Sequence, residues 1–203
     1  MMKKWIGFFT AALFLIAAIS ILPIHGEAQI YDSVIRLHVL ANSDSDEDQA
    51  RKLAVRDAVL ESTRPLLEGA ESREEAEVIL QKALPEIKEA AELALERLGS
   101  GESVSVSLSW ENYPTREYES LAFPAGEYLS LRVMIGEAEG KNWWCVLFPP
   151  LCLSAASVAV DQETACLSAG LTDEQYRLIA DADSSTKYRL RFKILEVASG
   201  LFD

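Results

Sequence analysis

The hydrophobic pattern changes period along the chain, and each change marks an element. Residues 5–22 carry no charge, follow Lys3 and Lys4, and end at Pro23 and the small residues of Gly26-Glu27-Ala28. A basic flank, an apolar run and small residues at the cleavage positions make a secretory signal. The same run approaches the length that spans a bilayer, so a retained N-terminal membrane anchor is the competing reading of residues 1–28. Both readings place residues 29–203 outside the cytoplasm, with Lys3 and Lys4 holding the N-terminus inside.

Residues 34–40 are β-rich, with Ile35, Leu37 and Val39 on one face and Val34, Arg36, His38 and Leu40 on the other. A helix is predicted from residues 44–46 to Leu67. Ser43, Asp44 and Ser45 are its candidate caps, and Asp46, Glu47 and Asp48 sit at the positive end of its dipole. Ser72-Arg-Glu-Glu75 is a capping box that opens a second helix. Ala76, Ile79, Leu80, Ala83, Ile87, Ala91, Ala94, Leu95 and Leu98 keep its period, Pro85 is expected to kink or split it, and Gly99-Ser-Gly101 ends it.

Beyond Gly101 the period becomes two. Val104, Val106, Leu108 and Trp110 alternate with serines, a strand with one wet face. Residues 113–126 are turn-rich, with a short strand at 118–121. Residues 128–135 and 143–148 read as a hairpin joined through Gly136-Glu-Ala-Glu-Gly-Lys-Asn142. A short helix follows Thr172, and residues 188–195 form a last strand. Helices in front and antiparallel strands behind predict a single α+β domain over residues 29–203: a mainly antiparallel sheet with the N-terminal helices packed on one face.

Charge narrows the partners. The net charge of −13 becomes −14 without Lys3, Lys4 and Glu27, which disfavours nucleic acid and anionic lipid. No second apolar run reaches spanning length, so contact with a membrane is expected only through the N-terminal segment. For Cys145, Cys152 and Cys166 two readings stand. Cys145 and Cys152, flanking Phe148-Pro149-Pro150, form a disulfide in an oxidising compartment, or all three are small buried hydrophobes.

Catalytic candidates are few. His38 is the one histidine outside the signal region, and in a β-rich run it reads as a hydrogen-bonded structural side chain rather than a base. His38 with the three cysteines lacks zinc-site spacing. Asp44-x-Asp46-x-Asp48 imitates a calcium loop, but Gln49 and Val55 stand where its glycine and glutamate belong. Neither a metal nor another cofactor is expected. Asp57 shares a predicted helix face with Ala50, Leu53 and Leu60 and is expected to be partly buried against a base such as Arg36. Trp143 and Trp144, adjacent in a strand, must face opposite sides. Either one is presented to a partner beside a rigid Pro-Pro turn, or both faces are covered.

Ile35-Arg-Leu-His-Val-Leu-Ala-Asn-Ser-Asp-Ser-Asp-Glu-Asp-Gln49 and its continuation to Val59, then Asn142-Trp-Trp-Cys-Val-Leu-Phe-Pro-Pro-Leu-Cys152 and Arg191-Phe-Lys-Ile194, closely resemble the stage II sporulation protein R family of endospore-forming bacteria. The resemblance implies a non-enzymatic signal, exported from the forespore into the space between forespore and mother-cell membranes. There it would activate a membrane-embedded aspartic-type protease that processes the precursor of the early mother-cell sigma factor. The family supplies no catalytic residue. Candidate partner contacts are Asn42, Ser43, Asp44 and Gln49 in the turn and helix start, and Trp143, Trp144 and Phe148 on the aromatic hairpin. Each suits a folding role equally. The alternative is an exported cell-wall hydrolase using carboxylates or His38.

Overall fold

The computed structural model describes residues 30–118, 121–152 and 162–180. The segment at 1–28 expected to direct export, the strand expected at 188–195 and the block at 191–194 lie outside the described residues. Strand β1 (Ile35–Leu40) leads into helices α1 (Asp46–Leu67) and α2 (Arg73–Arg97). Strands β2 (Val104–Tyr113), β3 (Arg116–Tyr118), β4 (Leu121–Phe123), β5 (Gly126–Ile135) and β6 (Asn142–Phe148) follow, then helices α3 (Gln162–Ser168) and α4 (Asp173–Ala180). The architecture is α+β, a mixed but mainly antiparallel sheet with the long helices N-terminal. None of the described helices is long and apolar enough to cross a membrane.

Local chemistry sets the helix ends. Ser45 caps α1, its Oγ accepting from the Asp48 amide at 3.1 Å, so the third of the three candidates takes the role. Ser72 caps α2 through the Glu75 amide, and the Glu75 carboxylate reaches back to the Glu71 amide. Pro85 does not split α2, which is assigned as helix throughout. Seven of the nine positions predicted for the buried stripe of α2 are buried, from Ala76 to Leu95. Ile79 is half-buried and Leu98, past the last turn, is exposed.

The main sheet runs β2-β5-β1-β6. This corrects the expected hairpin, because β1 is inserted between β5 and β6, parallel to the first and antiparallel to the second. All six β1 residues are buried, and a strand covered on both faces is stable only with neighbours on both edges. Residues 136–141 bridge the two strand spacings, about 9.6 Å, which six residues span easily. The turn-rich segment also differs from expectation, forming two strands, β3 and β4, paired with each other.

Two apolar clusters flank the sheet. Ile35, Leu37, Val39, Leu131 and Val133 pack under α1 and α2 with Val55, Val59, Leu80 and Ile87. On the opposite side Tyr113, Tyr128 and Val146 meet Leu121 and Phe123 of the β3–β4 pair, and Cys166, Leu171 and Ile179 from the α3–α4 region. Arg36 lies in this second cluster, so it cannot meet Asp57, which is exposed on α1 and pairs with its neighbour Arg56 at 2.8 Å. The α1 face was misassigned because its stripe is irregular: Lys52 and Arg56 are buried while Leu53 is exposed.

Candidate functional site

The register of β1 against β6 brings the two unusual sequence blocks together. His38 opposes Trp144, Val39 opposes Trp143 and Leu40 opposes Asn142, so the turn after β1 and the start of β6 share one end of the sheet. The bridging loop crosses over this turn and is bonded to it. The Gly140 amide donates to the Ala41 carbonyl at 2.9 Å and the Glu139 amide to the Asn42 carbonyl at 3.2 Å. A Cβ on Gly140 would fall 2.2 Å from the Ser43 carbonyl oxygen, so this crossing admits only glycine.

Each candidate contact residue of the turn is engaged within the chain. Asn42 donates through Nδ2 to Asp48 and accepts at Oδ1 from the Glu137 amide, both at 3.0 Å. Ser43 Oγ donates to the same Asp48 oxygen at 2.5 Å, and Asp44 Oδ1 accepts the Lys141 amide at 2.7 Å. Gln49 donates to the Ser43 carbonyl and accepts from Lys52 Nζ, which also donates to the Lys141 carbonyl. Burial lowers the Lys52 pKa from its ordinary value, against the pull of Asp44. Among the described residues no group of three or more His, Cys, Asp or Glu could hold a metal.

Asp48 is the hub. The Ser43 hydroxyl, the Asn42 amide and the Arg51 guanidinium hold its carboxyl far below the usual carboxylate range, outweighing burial. A depressed folded-state value contributes stability above the unfolded value of about 3.9, and that contribution is lost as pH falls through the acid range. The melting midpoint is therefore expected to drop more steeply below about pH 4 in the native chain than in Asp48→Asn. Calorimetry from pH 6 to pH 2.5 checks this, and parallel curves would contradict the role.

The tryptophans point to opposite faces and each is half-buried. Trp143 packs on the helix side with the Arg56 guanidinium 4.3 Å from its ring centroid. Trp144 lies on the other side, 5.4 Å from the His38 ring, with the Arg116 guanidinium stacked at 3.8 Å. Phe148 is 1 % exposed in the helix-side core. Cys145 and Cys152 are joined by a disulfide, and Cys166 is free, its thiol pushed up to about 11 by burial.

His38 is 9 % exposed. Its Nδ1 lies 3.3 Å from both Glu111 carboxylate oxygens and its Nε2 2.9 Å from Asn142 Oδ1. Burial would raise the Glu111 carboxyl, but hydrogen bonds from His38 and Ser130, with the charge of Arg132, bring it below its ordinary value. Sequence reasoning offered Arg36 as a partner for Asp57 and missed its aromatic surroundings. Arg36 is fully buried with its guanidinium 4.6 Å from the Tyr113 centroid, 5.1 Å from Tyr128, 5.3 Å from Phe123 and 5.6 Å from Tyr118. Its signal was an arginine within an otherwise β-rich apolar run.

The family model described as stage II sporulation protein R matches residues 31–158, the whole of the main sheet and both long helices. The chain is 45% identical over 123 residues to stage II sporulation protein R of Bacillus subtilis (strain 168), covering 61% of this chain and 55% of that protein's length. The block at 191–194 lies beyond the matched range. No solved structure matches.

Proposed function

This chain belongs to the stage II sporulation protein R family, and from that premise we propose that it serves endospore formation as an exported signal. It is delivered from the forespore into the space between the forespore and mother-cell membranes. There it activates the membrane-embedded aspartic-type protease that processes the precursor of the early mother-cell sigma factor. The observation that carries the reading is the family match itself, which runs unbroken through every strand of the main sheet. Activation of this kind requires that the signal bind the protease's active state more tightly than its inactive one.

The geometry of His38 weighs against a cell-wall hydrolase that uses this histidine as its base. Both ring nitrogens face protein oxygens and the ring is nearly buried, so no free lone pair is offered to a substrate. We assign the partner-facing region to the end of the sheet where the two blocks meet, with Asn42, Ser43, Asp44 and Gln49 on one lip and Trp143 and Trp144 behind the other, whereas Phe148 opposes Ile35 at the far end of β6 and is buried. The lip residues set the shape of that end through their internal bonds.

The reading is tested in a non-sporulating cell that makes the protease and the sigma-factor precursor. Processing is expected only when this chain is present with its export segment. Unprocessed precursor, with the domain folded and exported, would refute it. Release of sugar or peptide from purified peptidoglycan would favour the hydrolase.

A further inference from the structure

One row of side chains crosses the non-helix face of the sheet. In register it runs Ser107 on β2, Arg132 on β5, His38 on β1 and Trp144 on β6, and Arg116 of β3 stacks on Trp144. The β3–β4 pair and the α3–α4 region cover the neighbouring part of this face, around Tyr113, Tyr128 and Val146. Towards the open end Ser105 and Asn142 are exposed, and Ser107, Arg132, Met134 and Trp144 are half-buried. This edge of the face is polar and open beside a well-packed core.

Its charge runs against that of the protein. The chain carries −13 overall, yet the row holds two arginines and a histidine with Glu111 as the acid that contacts it. Both guanidinium groups are held in place. The Arg116 guanidinium sits over the Trp144 ring, 3.8 Å from its centroid, and Arg132 Nε is 3.3 Å from Glu111 with its side chain 36 % exposed. The Nε of each is buried and makes no hydrogen bond to a described residue, Arg132 Nε meeting Glu111 as an ion pair only. A positioned guanidinium fork matches a planar carboxylate, and little side-chain entropy remains to be lost on binding.

We propose that this row is the docking surface for an acidic peptide segment of the membrane partner, with Arg132 and Arg116 each receiving a carboxylate and Trp144 packing against the segment between them. The inference rests on the signalling reading above and names the chemistry of its contact. A peptide fits better than an anionic lipid surface. The cationic row is small, and the net charge of the body repels an extended sheet of negative charge.

The test uses the full chain in the same processing cell, with Arg116→Gln, Arg132→Gln, the double variant, Arg132→Lys, and Arg73→Gln on α2 as a control. Export and melting midpoint are recorded for each. Each single glutamine variant is expected to lower processing at least tenfold with its midpoint unchanged, and the double variant to abolish it. Arg132→Lys should retain part of the activity, and Arg73→Gln all of it. Wild-type processing by the folded double variant would overturn the proposal while leaving the signalling reading intact. If the native chain itself produces no processing, the signalling reading is what fails. Binding of the native chain, but not of the double variant, to phosphatidylglycerol vesicles would overturn the peptide assignment in favour of a membrane.

Discussion

Replacing Arg36 with alanine is expected to destabilise the domain by roughly 3–5 kcal/mol, the range for emptying a large buried site. For a domain of this size that lowers the melting midpoint by roughly 6–20 °C. The guanidinium fills the space between four aromatic rings, donating through Nε to the Cys145 carbonyl at 3.2 Å and through Nη2 to the Tyr118 hydroxyl at 2.6 Å. Alanine leaves a void and strips the Cys145 carbonyl of this donor. No carboxylate among the described residues pairs with Arg36, so attraction to the ring faces and two hydrogen bonds offset its desolvation. Methionine fills much of the same volume without a charge. Arg36→Met is therefore expected to fall within about 1.5 kcal/mol of the native chain. Chemical denaturation of both variants checks the pair. Equal, large losses would show that the charge itself, and not its volume, holds the cluster.

Gly140→Ala is expected to cost about 2–3 kcal/mol, the upper part of the range for forcing atoms into a packed site. The new methyl would meet the Ser43 carbonyl oxygen at 2.2 Å and its carbon at 2.5 Å, and backbone cannot rotate away as a side chain can. Relief requires lifting residues 136–141 off the turn, which breaks the Gly140–Ala41 and Lys141–Asp44 bonds. Signalling should fall further than stability does, because the turn and the start of β6 are held together by this crossing. Amide hydrogen exchange reads the local effect directly. Faster exchange at Gly140 and Lys141, with the helices unchanged, is the expected pattern. A uniform acceleration across the domain would contradict a local role for the crossing.

Much of the candidate site was legible as a set of residues, but not as an arrangement. The two blocks stood out because each combines residue types that a plain strand or helix does not require. Ser43, Asp44 and Gln49 were recognised as cap or contact residues, and they are bonded within the turn. The partnership of Asp48 with Asn42 and Ser43 had no sequence signal beyond a run of acids, which ordinarily means a solvated helix start. Trp143 and Trp144 were correctly expected on opposite faces, since strand geometry leaves no other option. What covers each one depends on Arg56 and Arg116, 87 and 28 residues away from those tryptophans, and no local pattern reports such contacts.

The sequence by itself determined the class, the limits of the two long helices and the faces of the long strands. These follow from periods of 3.6 and two, from serine caps and from glycine stops, all of which act within a few residues. It also carried the family, through two blocks whose order and spacing are specific. Only the tertiary structure decided that β1 enters between β5 and β6, that Arg36 sits in an aromatic cage, and that Arg132, His38, Trp144 and Arg116 form one row. Strand order depends on how a strand buried on both faces finds two edges at once. That is a competition between distant segments for hydrogen bonds and buried area, and it leaves no mark on the local period of any of them.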